Sequence, residues 1–388
     1  MNSALMQLSE DHQTLAETVR DFANQVIAPV AAQHDRDHTF PYDVIKKMGA
    51  MGLFGLPFPE EVGGMGGDFL SLCLAIEELA RIDQSVAVTL EASVGLGSMP
   101  IFRTGTDEQK KKFLPALISG EALAGFGLTE SEGGSDASRL RTIARLEGDE
   151  WVINGAKTFI TNSGTSITSL VIVACITGTK ADGTKELSTI IVPNGTPGFL
   201  VEPSYFKVGW HASDTHPLSF TNVRVPADNL LGERGRGYAN FLQALDEGRI
   251  AIAALAVGAA QGCIDESLRY AKERKAFGKL IGEHQSIAFK IAEMEARTHI
   301  ARLAYYHAAF LVAAGKDFKA EASIAKLVAS EAAMDNARAA TQIFGGYGFM
   351  DEYSVARHYR DSKILEIGEG TSEVQKILIA RSLGLNAE

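Results

Sequence analysis

The hydrophobic period of this 388-residue chain changes twice, and that change limits the fold more than any other feature. From Leu8 to about Leu117 apolar residues recur at helical spacing, beginning with the stripe Val19, Phe22, Ala23 and Val26. At about Glu121 the period shortens to alternation. Short apolar runs follow at Leu123 to Thr129, Thr142 to Leu146, Trp151 to Ile153, Thr158 to Ile160, Leu170 to Ile176, Ser188 to Val192, Phe199 to Glu202 and Leu218 to Val225. Asn154-Gly155, set between two such runs, predicts a hairpin turn. After the linker Gly232-Glu233-Arg234-Gly235-Arg236-Gly237 the period is helical again, over 241–273, 282–315 and 318–344. Pieces of about thirty residues are the length of bundle helices. The spacing therefore predicts an α+β multidomain chain. Its parts are an N-terminal α-helical domain over 1–120, a middle antiparallel β domain over 121–232 and a C-terminal four-helix bundle over 233–388.

Charge and composition narrow the partners. The formal net charge is −11 and no lysine- or arginine-rich run offsets it, which argues against nucleic acid and anionic membrane. A phosphate-bearing ligand stays open, because single arginines and helix N-termini bind phosphate whatever the overall charge. Cys73, Cys175 and Cys263 are far apart and odd in number, as buried small residues of a reducing compartment would be. The histidines show no metal spacing, so no metal is expected; His34 and His38 read as a solvated helix face. Met1 to Arg20 has no apolar signal core, and the apolar run Ile250 to Ala260 is too short to span a bilayer. The expected location is the cytoplasm.

Five stretches carry more chemistry than packing needs. Ile367-Gly368-Glu369-Gly370-Thr371-Ser372-Glu373-Val374-Gln375 sets a carboxylate between glycines, just before a helix that Ser372 and Gln375 are spaced to cap. With no cation beside it in sequence, Glu369 fits a general base; an exposed turn glutamate is the plainer reading. Phe126 to Asp136, rich in glycine and hydroxyls at a strand end, offers backbone N–H groups to a pyrophosphate, or is an ordinary polar loop. Lys157 to Asn162 presents an aromatic ring and two hydroxyls where a flat ring could stack, or is a plain strand end. Glu273 to Gly278, with His284-Gln285, offers Arg274 to a phosphate and Phe277 to a base, or is a charged helix terminus. Gln342 to Gly348 dissolves a helix into glycines, part of which a C-cap explains.

In this order, across an α–β–α layout, these stretches resemble the acyl-CoA dehydrogenase family over almost the whole chain. Asp246 to Ile252 and Arg357 to Lys363 are most similar to the short-chain and short-branched-chain members. The resemblance implies the acyl-CoA dehydrogenase fold, FAD, a homotetramer built as a dimer of dimers, and electron delivery to an electron-transfer flavoprotein. It implies fatty acid or amino acid degradation, with α,β-dehydrogenation of a short straight or branched acyl-CoA to the trans-2-enoyl thioester. Glu369 matches the family's base. Phe126, Leu128, Thr129, Phe159, Ile160 and Thr161 match flavin contacts, and Thr371 and Glu373 the FAD segment beside the base. Ser135, Asp246, Arg249 and Gly370 match thioester or CoA contacts, and Gly368 stands where an aromatic residue is frequent, which leaves room beside the reacting carbons. Arg274, Phe277, Gln285, Gln342, Gly345 and Gly346 match positions that hold FAD across a subunit boundary. Ser131-Glu132 and His216-Pro217 depart from the pattern and put the loop geometry and some CoA contacts in doubt. Gly248 stands where some relatives carry their base, which favours Glu369. The rivals are a flavin oxidase of the same fold and a non-catalytic binding member.

Overall fold

The computed structural model describes residues 8–136 and 139–386. The N-terminal helices are α1 (Glu10–Phe22), which passes through one wide turn into α2 (Ala28–Asp37), then α3 (Tyr42–Ala50) and α4 (Phe69–Ala80). Next come α5 (Gln84–Glu91), α6 (Met99–Thr104) and α7 (Asp107–Ile118). Between α5 and α6 the chain stays helical but widens to a π-turn over Ala92–Ser98. Asp68, Asp83 and Thr106 each accept a hydrogen bond from a first-turn N–H, so three of these helices start where sequence chemistry puts the cap. Helical stretches Gln84–Thr104 and Gln243–Glu273, of 21 and 31 residues, are longer than the run 250–260 indicated and are long and apolar enough to cross a membrane by length and composition alone. They are core helices, with 83% of their apolar windows buried inside the fold.

The middle strands are β1 (Leu123–Gly127), β2 (Ile143–Glu147), β3 (Glu150–Thr161), β4 (Thr168–Thr179), β5 (Lys185–Pro193), β6 (Phe199–Val201), β7 (Thr215–Pro226) and β8 (Leu230–Leu231). They form one eight-stranded sheet in the order β6-β7-β3-β2-β4-β5-β8, with β1 added against β4. Two expectations are corrected. The sheet is mixed, because β1 and β2 both run parallel to β4. Asn154-Gly155 is no hairpin: β3 runs straight through it, pairing with β2 on one side and β7 on the other. The turn is Gly148-Asp149, where Glu147 pairs with Glu150 and Gly148 supplies φ +66°. Gly155 marks a bulge, and a Cβ there would stand 2.4 Å from Thr142 Oγ1.

The C-terminal helices are α8 (Gly237–Glu273), α9 (Gln285–Ala313), α10 (Lys319–Phe344), α11 (Ser354–Ser362) and α12 (Ser372–Ser382). A small hairpin, β9 (Lys275–Ala276) and β10 (Lys279–Leu280), lies between α8 and α9. Helix α8 is buried along its middle, from Ile250 to Ala260, against α4, α9 and α10. It approaches α4 closely enough that a Cβ at Gly258 would meet the Glu77 carbonyl oxygen at 2.1 Å. One continuous core joins residues of α1 to α5, the buried ends of β1, β4 and β5, and α8 to α10. A second core of Trp151, Ile153, Val173, Cys175, Leu218 and Phe220 stabilises the sheet. The N-terminal helices and the bundle thus share one interior, and the site lies where the sheet edge meets it.

Candidate active site

The turn before α12 is held in a conformation it would not choose alone. The Ile364 carbonyl accepts from the Ile367 and Gly368 N–H groups at 2.9 and 2.8 Å, and the chain then turns left-handed at two successive residues. Glu369 has φ +55° and Gly370 φ +89°. A left-handed non-glycine residue costs about 1–2 kcal/mol and persists only when its surroundings fix it. Here Gln375 Nε2 donates to the Glu369 and Gly370 carbonyls at 3.3 and 2.9 Å, and Lys326 Nζ donates to the Gly370 carbonyl at 2.7 Å. This corrects the expected cap. Thr371, not Ser372, is the N-cap, and its hydroxyl accepts from the Val374 N–H at 3.3 Å. Gln375 folds back onto the turn instead of completing a capping box. Along α12, Ser372 and Gln375 are buried, whereas the apolar Val374, Ile377 and Leu378 are only half-buried.

The Glu369 residue is half-buried, but its carboxyl Oε2 is fully buried and has no hydrogen-bond partner. Burial pushes this carboxyl up to about 7, against the pull of the Arg249 guanidinium and the Lys326 ammonium. Cations therefore do stand near this carboxyl, which the local sequence did not show. Burial in turn lowers Lys326 to about 8, and the charge of Glu369 holds it up. Arg249 is 6% exposed and pairs with Asp246 at 2.5 Å, while its Nε is left without a partner. Gly248 makes the room: a Cβ there would stand 2.6 Å from Glu369 Oε2. Gly368 is not left-handed, and a Cβ on it would meet only Ile364, at 3.5 Å. Its glycine is not demanded by the backbone.

Another set of candidate groups lies at the end of β3 and in the segment after β1. The Thr158 N–H donates to the Thr129 carbonyl at 2.9 Å, which joins the end of β3 to the segment after β1. Phe159 is left-handed at φ +61° and 64% exposed, whereas Leu128 and Ile160 point inward and offer backbone only. Phe126 packs edge-on to Phe241 at 4.4 Å, and the Thr158 hydroxyl is buried without a partner. Ser135 lies in the exposed part of the loop and Gly134 faces open space; 137–138 lie outside the described residues. The departures settle into local ion pairs. Glu132 pairs with Arg141, and the neighbouring Glu130 accepts from buried Lys157 at 2.7 Å. His216 lies between Asp214 Oδ1 at 2.8 Å and the Glu202 carbonyl at 2.6 Å.

The remaining candidates form a second cluster. Arg274 is exposed over the Tyr347 ring at 5.9 Å, and Tyr270 stacks on Phe344 at 4.1 Å. Phe277 forms the tip of the β9–β10 hairpin at φ +52° and is 96% exposed. Gln285 opens α9 and Gln342 lies in the last turn of α10; both are exposed, and nothing stands within 4 Å of a Cβ at Gly345 or Gly346. Lys326 and Gln342 share α10, so the two clusters are about 24 Å apart along its axis at 1.5 Å per residue. Reading the sequence missed Lys326 and gave Gln375 a capping role in place of its bonds to the turn carbonyls. Lysine in an alanine-rich apolar stretch was the one available signal for Lys326.

A helical domain, a mixed sheet and a helical bundle enclose a buried carboxyl oxygen that lacks a hydrogen-bond partner, and this three-part build is that of a known enzyme class. Family models identify the class: acyl-CoA dehydrogenase N-terminal domain over residues 9–121, middle domain over 125–223 and C-terminal domain over 235–384. The chain belongs to the acyl-CoA dehydrogenases, a flavin-dependent enzyme family. It is 48% identical over 377 residues to the probable acyl-CoA dehydrogenase YngJ of Bacillus subtilis, covering 97% of this chain and 99% of that one. Butyryl-CoA dehydrogenase from Megasphaera elsdenii superposes with a TM-score of 0.94 at 42% identity, over 98% of this chain and 99% of the other. A chain from a structure described as the electron transferring flavoprotein of Acidaminococcus fermentans also reaches a TM-score of 0.94, at 40% identity and the same coverage. The three-domain acyl-CoA dehydrogenase fold expected from the sequence is borne out.

Proposed function

We propose that the chain is an FAD-dependent acyl-CoA dehydrogenase for short acyl thioesters, with Glu369 as the base. The observation that carries this is the Glu369 carboxyl, buried, with an oxygen lacking a donor and a titration near 7, on a turn that three hydrogen bonds hold in place. A group that titrates near neutral pH is both available as a carboxylate and basic enough to take a proton. Glu369 takes the α-proton of the thioester. The left-handed turn presents the Glu369 backbone N–H as a donor to the thioester carbonyl oxygen, where negative charge develops. Arg249 and Lys326 keep the base ionised in a dry pocket, and Asp246 and Arg249 border the acyl end with Gly368 and Gly370. When bound, FAD supplies the acceptor for the β-hydrogen and its electron pair.

The groups at the end of β3 and in the segment after β1 suit a flavin nucleotide. Thr158 offers an unpartnered buried hydroxyl, Phe159 an exposed ring, and Gly134 open backbone. Phe126, Leu128, Thr129 and Phe159 to Thr161 would hold the ring end, with Thr371 and Glu373 beside the base. Ser135 borders the thioester side. Arg274, Phe277, Gln285, Gln342, Gly345 and Gly346 belong to the cluster at the far end of α10, too distant to complete that site, so they would hold FAD of a neighbouring subunit in a homotetramer. The butyryl-CoA dehydrogenase likeness supports a short acyl chain, and the flavoprotein likeness supports electron-transfer flavoprotein as acceptor. Free, buried cysteines fit a cytoplasmic enzyme. The test is the absorbance of the purified protein and its bleaching by a panel of acyl-CoAs without other acceptor. Wild type should bleach with butyryl-CoA, and Glu369→Gln should bind FAD and acyl-CoA but bleach about 10²- to 10⁴-fold more slowly, the usual contribution of a positioned base. Bleaching of the variant at the wild-type rate overturns the assignment. Rapid oxygen reduction without use of electron-transfer flavoprotein would favour an oxidase.

A further inference from the structure

One buried acid at the site has no part in the reaction as described. Glu91 ends α5 where the helix widens, and it is 1% exposed. The Thr89 carbonyl, two residues earlier, accepts from Asn162 Nδ2 at 3.0 Å and pins this helix end to the end of β3. Among the described residues no cation pairs with Glu91, and its Oε1 is buried without a hydrogen-bond partner. A Cβ at Gly248 would lie 3.8 Å from Glu91 Oε1 and 2.6 Å from Glu369 Oε2. Two buried carboxyl oxygens, each lacking a donor, therefore converge on the space over one glycine. Like charges within about 4–6 Å disfavour one another, so two carboxyls that share one dry space do not both ionise, and a proton kept on one is available as the donor that the other lacks.

The surroundings decide which keeps it. Glu369 faces Arg249 on α8 and Lys326 on α10, and both favour its charge. Glu91 feels the charge of Glu369, and among the described residues no positive charge acts on it in return. The nearby carboxylates of α8 already have partners: Glu247 pairs with Arg103 at 2.7 Å and Asp246 with Arg249 at 2.5 Å. Among the described residues no cation acts on Glu91 to favour its charge.

We propose that Glu91 is a second, neutral carboxyl of the reaction pocket, a positioning residue whose proton is directed at the Glu369 carboxylate, so that the pair carries one negative charge. Burial and then the charge of Glu369 both act to keep that proton in place. The inference rests on Glu369 as base. In the reaction the thioester α-proton goes to Glu369, and the pocket then holds two neutral carboxyls.

Two measurements on the FAD-loaded enzyme test this. At about pH 8, far above the titration of an exposed glutamate near 4.3, the infrared spectrum should contain a protonated-carboxyl band. Glu91→Gln should remove that band, and its absence from wild type or survival in Glu91→Gln overturns the proposal. The second measurement is the acid limb of flavin bleaching by butyryl-CoA. Glu91→Gln keeps an N–H donor and should leave the limb in place. Glu91→Leu loses the donor and should raise it by about one to two pH units, the size of a lost hydrogen bond to a charged group. An ionised Glu91 would give the opposite sign, with both variants lowering the limb. That result, or no movement in either, also overturns the proposal. If Glu91→Leu does not fold, the infrared band decides alone. Failure of the base assignment shows separately, as normal bleaching in Glu369→Gln.

Discussion

Gly248 sits at the contact between the bundle and the base, and Gly248→Ala separates the two. The added Cβ would lie 2.6 Å from Glu369 Oε2, while ordinary contacts begin near 3.4 Å. The atom in the way is the end of a side chain, so the carboxyl retreats by roughly 0.8 Å and the helix stays as it is. A misplacement of about 1 Å at a reacting group costs on the order of 10²-fold. Flavin reduction by butyryl-CoA should therefore slow by about 30- to 100-fold. Stability should move the other way, because Gly→Ala inside a helix is favourable by about 0.5–1 kcal/mol. Single-turnover bleaching followed in a stopped-flow instrument gives the rate. FAD content and a thermal melt on the same sample give the rest. A variant that bleaches within about threefold of wild type would show that the carboxyl does not use the space over Gly248. One that is slow because it melts earlier or loses FAD would show that the glycine serves packing.

Gly258→Ala is the contrasting case on the same helix. Its Cβ would meet the Glu77 backbone carbonyl at 2.1 Å, so α8 and α4 must separate. A loss of about 1–3 kcal/mol in urea unfolding is expected, with the bleaching rate of the folded fraction unchanged. Arg274→Ala should weaken FAD retention and the oligomer together, read by absorbance and analytical ultracentrifugation. A variant monomer holding FAD at full occupancy would refute the subunit-boundary reading. His216 is raised above its ordinary value of about 6.5 first by its bond to Asp214 and also by the Glu202 carbonyl, against desolvation. A group raised on folding contributes stability that is full below 6.5 and is lost as pH rises through the folded value. Wild type should thus lose its stability margin over His216→Gln across that window, in urea melts taken at several pH values. A margin that is flat or grows with pH would refute the assignment.

The fold was legible where period and side-chain chemistry agreed. Apolar spacing alone separated helices from sheet, and the long α8, α9 and α10 followed from it. Asn154-Gly155 misled because a local turn preference competes with two neighbouring strands. Once β3 pairs with both β2 and β7, breaking it would forfeit hydrogen bonds on both edges, and the chain accepts a bulge at Gly155 instead. The parallel pairing of β1 and β2 with β4 was hidden for a different reason. Alternation reports which face of a strand is buried and carries no information on the direction of its neighbour.

The site divides in the same way. Glu369 was readable because glycines flank it and a helix follows. The groups that set its charge were not, because Arg249, Lys326 and Glu91 come from three different helices and meet it only in space. Gly368 shows how far sequence could go. Its glycine had two explanations, a left-handed backbone or an absent side chain, and residue type does not distinguish them. In the structure the left-handed positions are the next two, Glu369 and Gly370, while a Cβ on Gly368 meets nothing closer than 3.5 Å. The strain therefore falls on the base itself, held by Lys326 and Gln375, and the glycine before it leaves space. A side chain at 368 would consequently act on what fits beside the acyl carbons and leave the turn intact. The same turn at 369 ties the base's geometry to α10 through one lysine–carbonyl bond.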